Sequence, residues 1–136
     1  MPTRKASATW EKGLQNGTGS FDTESGSVKG SYSFGSRFAS AAGSNPEELL
    51  AAAEAACFSM ALSLGLEKNG TPPERVTTNA ACTIDKITTM RLDVTAKVPG
   101  IDDAKFQQIA NATKDGCPVS QALKGNVDIS LTARLA

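Results

Sequence analysis

The chain has 136 residues, a length that suits one domain (1–136), and its 14 Lys and Arg balance 14 Asp and Glu, so nothing favours nucleic acid or an anionic membrane surface as a partner. There is no histidine, which excludes Ser-His-Asp and Cys-His catalysis and every histidine-bearing metal site within one chain. The 3 cysteines are odd in number and lack CxxC spacing, which argues against a secreted disulfide framework and against structural zinc; no metal or cofactor is expected.

No charged-then-apolar leader opens the chain, so a cytoplasmic location is expected. Residues 4–12 alternate as a strand, with Ala6, Ala8 and Trp10 on one face. Residues 15–19 read as a turn; no apolar helix follows them, so they are not a phosphate cradle. Residues 20–24 and 31–38 read as two further strands, completing an antiparallel meander. The small-residue run 39–44 connects it to a helix.

That helix spans 45–70. Asn45 is a good N-cap, Pro46 fits the first helical position, and Glu48 stands where a capping box needs it. Asn69-Gly70 and Pro72-Pro73 stop it. At ~1.5 Å per residue it is roughly 36 Å long. Leu49, Leu50, Ala53, Ala56, Cys57, Met60, Ala61 and Leu64 recur at helical spacing, and the other side (Ala51, Ala52, Ala55, Phe58, Leu62, Leu66) is also apolar. A helix apolar all round is expected to be buried all round, which one small domain can barely achieve; a second chain is the natural supplement. A membrane span is the other reading. Glu54, Ser59 and Ser63 interrupt it and an Ala-rich run is weak for lipid, so a buried soluble helix is expected.

Beyond Pro73 the chain returns to strands. Val76, Thr78, Ala80, Cys82 and Ile84 share one face of a strand over 76–85. Residues 91–98 alternate Leu92, Val94, Ala96 and Val98 against Arg91, Asp93, Thr95 and Lys97. Asp102 and Asp103 open a second helix that turns Ile101, Phe106, Ile109, Ala110 and Thr113 to the core and stops near Gly116. A short helical piece, VSQALK, follows Pro118, and a last strand occupies 126–135. Each strand keeps one wet face, as antiparallel sheets allow. The expected class is α+β, with sheets wrapped around a central helix.

The cysteines differ in setting. Cys82 lies on an apolar strand face and reads as a core residue. Cys57 is about 15 Å from its helix N-terminus, beyond reach of the dipole; it is either core or a reagent that needs a nearby cation. Cys117, between Gly116 and Pro118, sits at an N-cap, where it is either a simple cap or a thiolate held by free backbone N–H groups.

The block NPEELLAAAEAACFSMALS, with GSRF upstream and GCPVSQALK downstream, resembles the OsmC/Ohr family of thiol peroxidases, and most closely its osmotically inducible OsmC branch. Trp10-Glu11, TESG and VPGID extend the resemblance over essentially the whole chain. It implies an intertwined homodimer with two active sites at the interface. It also implies reduction of organic hydroperoxides in stress defence, at the expense of dithiols such as lipoyl-bearing proteins. The peroxidatic cysteine falls on Cys57, the resolving cysteine on Cys117, the active-site arginine on Arg37 and the acid that orients it on Glu47. One departure is Glu54, where close relatives often carry histidine; it is expected to lie off the cysteine face.

Chemistry agrees with these roles. A thiolate must attack the peroxide, and without histidine Arg37 is the permanent charge at hand. The sulfenic acid left on Cys57 would condense with Cys117 to a disulfide that an external dithiol reduces. Two other classes compete: a binder of small apolar ligands with incidental thiols, and a redox-sensing stress dimer without turnover. The joint presence of Arg37, Glu47, Cys57 and Cys117 favours the peroxidase. Glu47 and Cys57 are about 15 Å apart along one helix and roughly 80° apart around it. The Glu47 nearest each Cys57 is therefore expected to come from a partner chain.

Overall fold

The computed structural model describes residues 2–83 and 89–136, so Ile84 and Asp85 of the expected strand lie outside the described residues. The chain divides into two compact units, Met1–Leu49 and Leu50–Ala136.

The first unit is built on an antiparallel sheet of β1 (Ala6–Glu11), β2 (Thr18–Thr23) and β3 (Lys29–Ser33) in that order. Gly19 pairs with Trp10 on one side and Tyr32 on the other. The two rings lie 5.3 Å apart between centroids. A Cβ on Gly19 would come within 2.5 Å of the Tyr32 ring, so only glycine lets the aromatic pair close over the strand.

The third strand is shorter than expected. It ends at Ser33, and Phe34–Phe38 form a one-turn helix, α1. The cause is a capping box. Ser33 Oγ accepts from the Ser36 N–H at 3.1 Å, and Ser36 Oγ accepts from the Ser33 N–H at 2.8 Å. Ser36 Oγ also reaches the Ser44 carbonyl at 2.8 Å and ties down the connector. Arg37 thus stands on the last turn of a helix, not on a strand.

Helix α2 spans Pro46–Lys68 and begins in the first unit. Asn45 caps it, its Oδ1 accepting from the Glu48 N–H at 2.8 Å. Glu48 does not close the box; its carboxylate takes the Ser44 hydroxyl at 2.6 Å instead.

The second unit holds a sheet of order β4-β5-β6, from β4 (Arg75–Cys82), β5 (Thr89–Lys97) and β6 (Asp128–Leu135). The expectation of antiparallel sheets holds for every described pairing of two strands but one: β6 runs parallel to β5. Helices α3 (Asp103–Gly116) and α4 (Pro118–Leu123) lie between those strands in the chain, and a helical crossover returns a strand parallel. Met90, Leu92, Val94 and Ala96 of β5 are buried with Ala51, Phe58, Leu62 and Leu66 of α2 and Phe106 and Ala110 of α3. Each Leu or Phe so buried contributes about 1.5–3 kcal/mol. Gly65 lets α3 come close, since a Cβ there would meet Ile109 Cγ2 at 2.9 Å. Gln107 Nε2 donates to the Ala133 carbonyl at 2.7 Å, fixing α3 on β6.

Helix α2 is long and apolar enough to cross a membrane, but one of its sides is committed to this core. The other side is not covered. Ala52, Ala53 and Ala56 are exposed, and Met60 and Leu64 remain 76% and 50% accessible. Burial all round is therefore not achieved by one chain, because its sheet and α3 face only one side of α2.

Candidate active site

Cys57 lies mid-way along α2, and Cys117 stands at the junction of α3 and α4. The Cys117 N–H closes α3 on the Thr113 carbonyl at 2.8 Å, and Pro118 starts α4. The Cys117 thiol donates to Cys57 Sγ at 3.1 Å, although the two are 60 residues apart in the chain. A disulfide is ~2.05 Å long, so the sulfurs are about 1 Å from bonding distance. Cys117 is buried and Cys57 half-buried. Leu64, Gly65, Ile109, Ala112 and Pro118 line a groove of ≈ 470 Å³ that reaches Cys117.

The backbone amides of α4 do not serve the cysteine expected from the sequence. Cys117 makes no side-chain cap bond. Val119 hydrogen-bonds Cys57 instead and lowers its pKa. Three other influences outweigh that bond: burial first, then the Cys117 thiol, then the negative charge of Glu54. Together they hold Cys57 above its ordinary value of 9.0. Cys57 therefore needs a cation to become a nucleophile at neutral pH.

Arg37 and Glu47 form a second pair, within the first unit. Arg37 Nε and Nη2 both donate to Glu47 Oε1, at 3.1 and 2.8 Å. Glu47 is almost wholly buried, and its Oε2 has no partner among the described residues. The Arg37 side chain is 38% exposed, and its guanidinium lies 5.2 Å over the Phe38 ring. A guanidinium has five N–H donors; two are spent on Glu47, leaving three for a ligand. Trp10, Leu14, Tyr32, Phe34 and Phe38 line a cavity of ≈ 210 Å³ with Arg37 on its wall. The four expected residues thus fall into two pairs, one in each unit. Glu47 meets the arginine of its own chain.

Glu54 was expected to lie off the cysteine face, and the structure corrects this. It is fully buried, takes the Ser120 hydroxyl on Oε1, and acts on Cys57 through its charge. The signal was available: Glu47, Ala51, Glu54, Phe58, Leu62 and Leu66 recur at helical spacing, which puts Glu54 on the stripe that packs inward.

Cys82 packs half-buried against the core from β4, as its strand face predicts. Cys82→Ala should leave the reactivity of the Cys57–Cys117 pair unchanged and lose about 1 kcal/mol or less of stability. Steady-state kinetics and a denaturant melt check both. Finding Cys82 in a peroxide-induced disulfide would show that Cys117 is the wrong partner.

The model of the family described as OsmC-like protein matches residues 39–132. The chain belongs to the OsmC family. It is 44% identical to Peroxiredoxin OsmC of Escherichia coli (strain K12), over 93% of both chains. It is 36% identical to the organic hydroperoxide resistance protein OhrB of Bacillus subtilis (strain 168), over 65% of this chain and 68% of that one. Among solved structures, the organic hydroperoxide resistance protein from Elizabethkingia anophelis superposes with a TM-score of 0.75. That likeness covers 100% of this chain and 98% of the other at 26% identity. The OsmC-family block includes Glu47, Cys57 and Cys117, while Arg37 lies just ahead of it.

Proposed function

We propose that this chain is a thiol-dependent peroxidase that reduces organic hydroperoxides to alcohols, in the cytoplasm, in defence against oxidative or osmotic stress. The observation that carries the reading is the 3.1 Å approach of Cys57 Sγ and Cys117 Sγ. The Cys57 thiolate attacks the peroxide oxygen; the O–O bond breaks, an alcohol leaves, and Cys57 becomes a sulfenic acid. Cys117 displaces water from it and closes the Cys57–Cys117 disulfide. An external dithiol, free or on a lipoyl-bearing protein, restores both thiols by exchange.

Arg37 supplies the cation that Cys57 lacks, and Glu47 holds the guanidinium in place. The aromatic cavity beside Arg37 suits a small alkyl or aryl group, which favours organic peroxides over hydrogen peroxide. The whole chain, 1–136, works as one domain. The test is consumption of cumene or tert-butyl hydroperoxide with dithiothreitol or dihydrolipoamide. Turnover supports the peroxidase; tight binding of the reduced alcohol without turnover would favour a binding protein instead.

The working form is a symmetric homodimer. What supports it is the exposed apolar stripe of α2, including Met60 and Leu64, which a second copy can cover. Arg37 and Glu47 pair within one chain, so they enter a site together. In this arrangement the Arg37–Glu47 pair of one chain serves the Cys57–Cys117 pair of its partner. Mixing inactive Cys57→Ser with inactive Glu47→Ala chains should then recover activity. Each heterodimer would carry both defects in one site and leave the other intact, giving up to about half the parent activity. No recovery despite proven subunit exchange would place both pairs of a site in one chain.

A further inference from the structure

Glu54 has no part in the reaction above, yet it stands one turn from the attacking sulfur. Besides the Val119 bond to Cys57, helix α2 and the start of α4 meet through two side-chain contacts. Cys117 touches Cys57, and Ser120 donates its hydroxyl to Glu54. The spacing is three residues on each side and opposite in sense, so the Glu54–Ser120 contact lies beside the Cys57–Cys117 contact.

Glu54 is 0% exposed, and its Oε2 is buried without a partner among the described residues. Burying a carboxylate with half its hydrogen bonds unmade is costly. As an anion it also hinders the thiol beside it, since its charge opposes ionisation of Cys57. A group that weakens both the fold and the nucleophile calls for a role in another step.

We propose that Glu54, aimed by Ser120, moves the proton in the resolving step. This rests on the peroxidase reading. Cys57 holds a sulfenic acid and Cys117 a thiol at the start. The Glu54 carboxylate takes the Cys117 proton as the sulfur attacks. The S–S bond forms, the S–O bond of Cys57 breaks, and the leaving hydroxide takes the proton from Glu54 and departs as water. Glu54 ends as the carboxylate it began as. The Cys117 sulfur supplies the electron pair of the S–S bond and the S–O pair leaves with the hydroxide, so Cys117 is oxidised as the Cys57 sulfenic sulfur is reduced, and no other reactant is needed.

The titratable groups about this carboxyl are few. On its own helix they are Cys57 and, seven residues earlier, Glu47. Cys117 heads α4. Cys82 lies on the core-facing side of β4. Beyond Ser120, a cavity of ≈ 260 Å³ carries Lys114, Asp115, Lys124 and Asp128, from α3, the end of α4 and the start of β6. None of these four is buried. Glu54 is the fully buried carboxyl beside the thiols, and the one whose charge reaches Cys57.

The test separates the two chemical steps by rapid quench after one equivalent of cumene hydroperoxide. Dimedone-trapped sulfenic acid and disulfide are each counted by mass spectrometry across pH. Glu54→Gln keeps the shape and removes the titrating group. The peroxide step should be unchanged or faster, because an opposing charge is gone, while disulfide formation slows about 10²-fold and loses its pH-dependent limb. Glu54→His restores a titrating group; it should recover much of the second rate and move the limb toward the imidazole range, about 6.5. Ser120→Ala should slow only the second step. A Glu54→Gln chain with parental rates in both steps overturns the proposal. So does a loss in both steps alike that histidine does not recover, since that is a packing effect. A parent chain that forms no disulfide with peroxide overturns the peroxidase reading itself, and this proposal with it.

Discussion

Cys57→Ser should bring hydroperoxide turnover to background, at least about 10³-fold below the parent chain, with little change in stability. Serine is nearly isosteric at this half-buried position, so the packing beside it should persist. Its hydroxyl neither ionises near neutral pH nor passes through a sulfenic acid. Cys117 cannot take over the attack. It is 1% exposed, so a peroxide reaches it poorly. The comparison with Cys117→Ser separates the two thiols. That variant should still consume one equivalent of peroxide and then stall. Stopped-flow consumption of tert-butyl hydroperoxide with dihydrolipoamide reads both. Steady turnover in Cys57→Ser would mean that the chemistry sits elsewhere.

Arg37→Lys should lower the rate constant for peroxide attack about 10²-fold while the melting temperature stays within about 3 °C. Lysine still neutralises the buried Glu47, so the cost of an unpaired buried carboxylate is avoided. What it lacks is the fork. Two N–H groups of Arg37 hold Glu47 Oε1, and in the proposed mechanism the others serve the thiolate and the leaving oxygen. Arg37→Gln removes the charge as well, and its signature is in the pH profile. A cation favours the thiolate, so its loss leaves Cys57 held up by burial, Cys117 and Glu54. Alkylation by iodoacetamide should then climb about tenfold per pH unit through neutrality and level off only above 9.0, the ordinary thiol value. The parent should level off at lower pH. A lysine variant with parental kinetics, or a glutamine variant with the parental pH profile, would remove Arg37 from the mechanism.

Helix α2 was legible because its signals are local. Asn45 and Pro46 mark its start, Asn69-Gly70 its end, and its apolar spacing needs no partner to be seen. Cys117 at an N-cap was legible for the same reason, from Gly116 and Pro118 on either side. The turn of α1 was missed because FGSRF is aromatic-rich and reads as strand. Its capping box uses Ser36 in place of the usual Glu or Gln. The parallel pairing of β6 was missed because alternation along a strand reports its faces and not its neighbour. The approach of Cys57 to Cys117 came only from family resemblance, since no local pattern joins residues 60 apart. The burial of Glu54 was legible in its helical spacing and was overlooked; its partner, Ser120, is 66 residues away and only the folded chain brings the two together.

The central claim is that one peroxide oxidises Cys57 and that Cys117 resolves it. Intact-mass and peptide mass spectrometry after one equivalent of cumene hydroperoxide tests it directly, on the parent and on Cys117→Ser. The parent should lose two hydrogens and yield a single cross-linked peptide joining Cys57 to Cys117. The Cys117→Ser chain should gain one oxygen on Cys57, trappable by dimedone, and form no cross-link within the chain. An unmodified parent, an oxygen retained on Cys57 in the parent, or a cross-link through Cys82 would contradict the account.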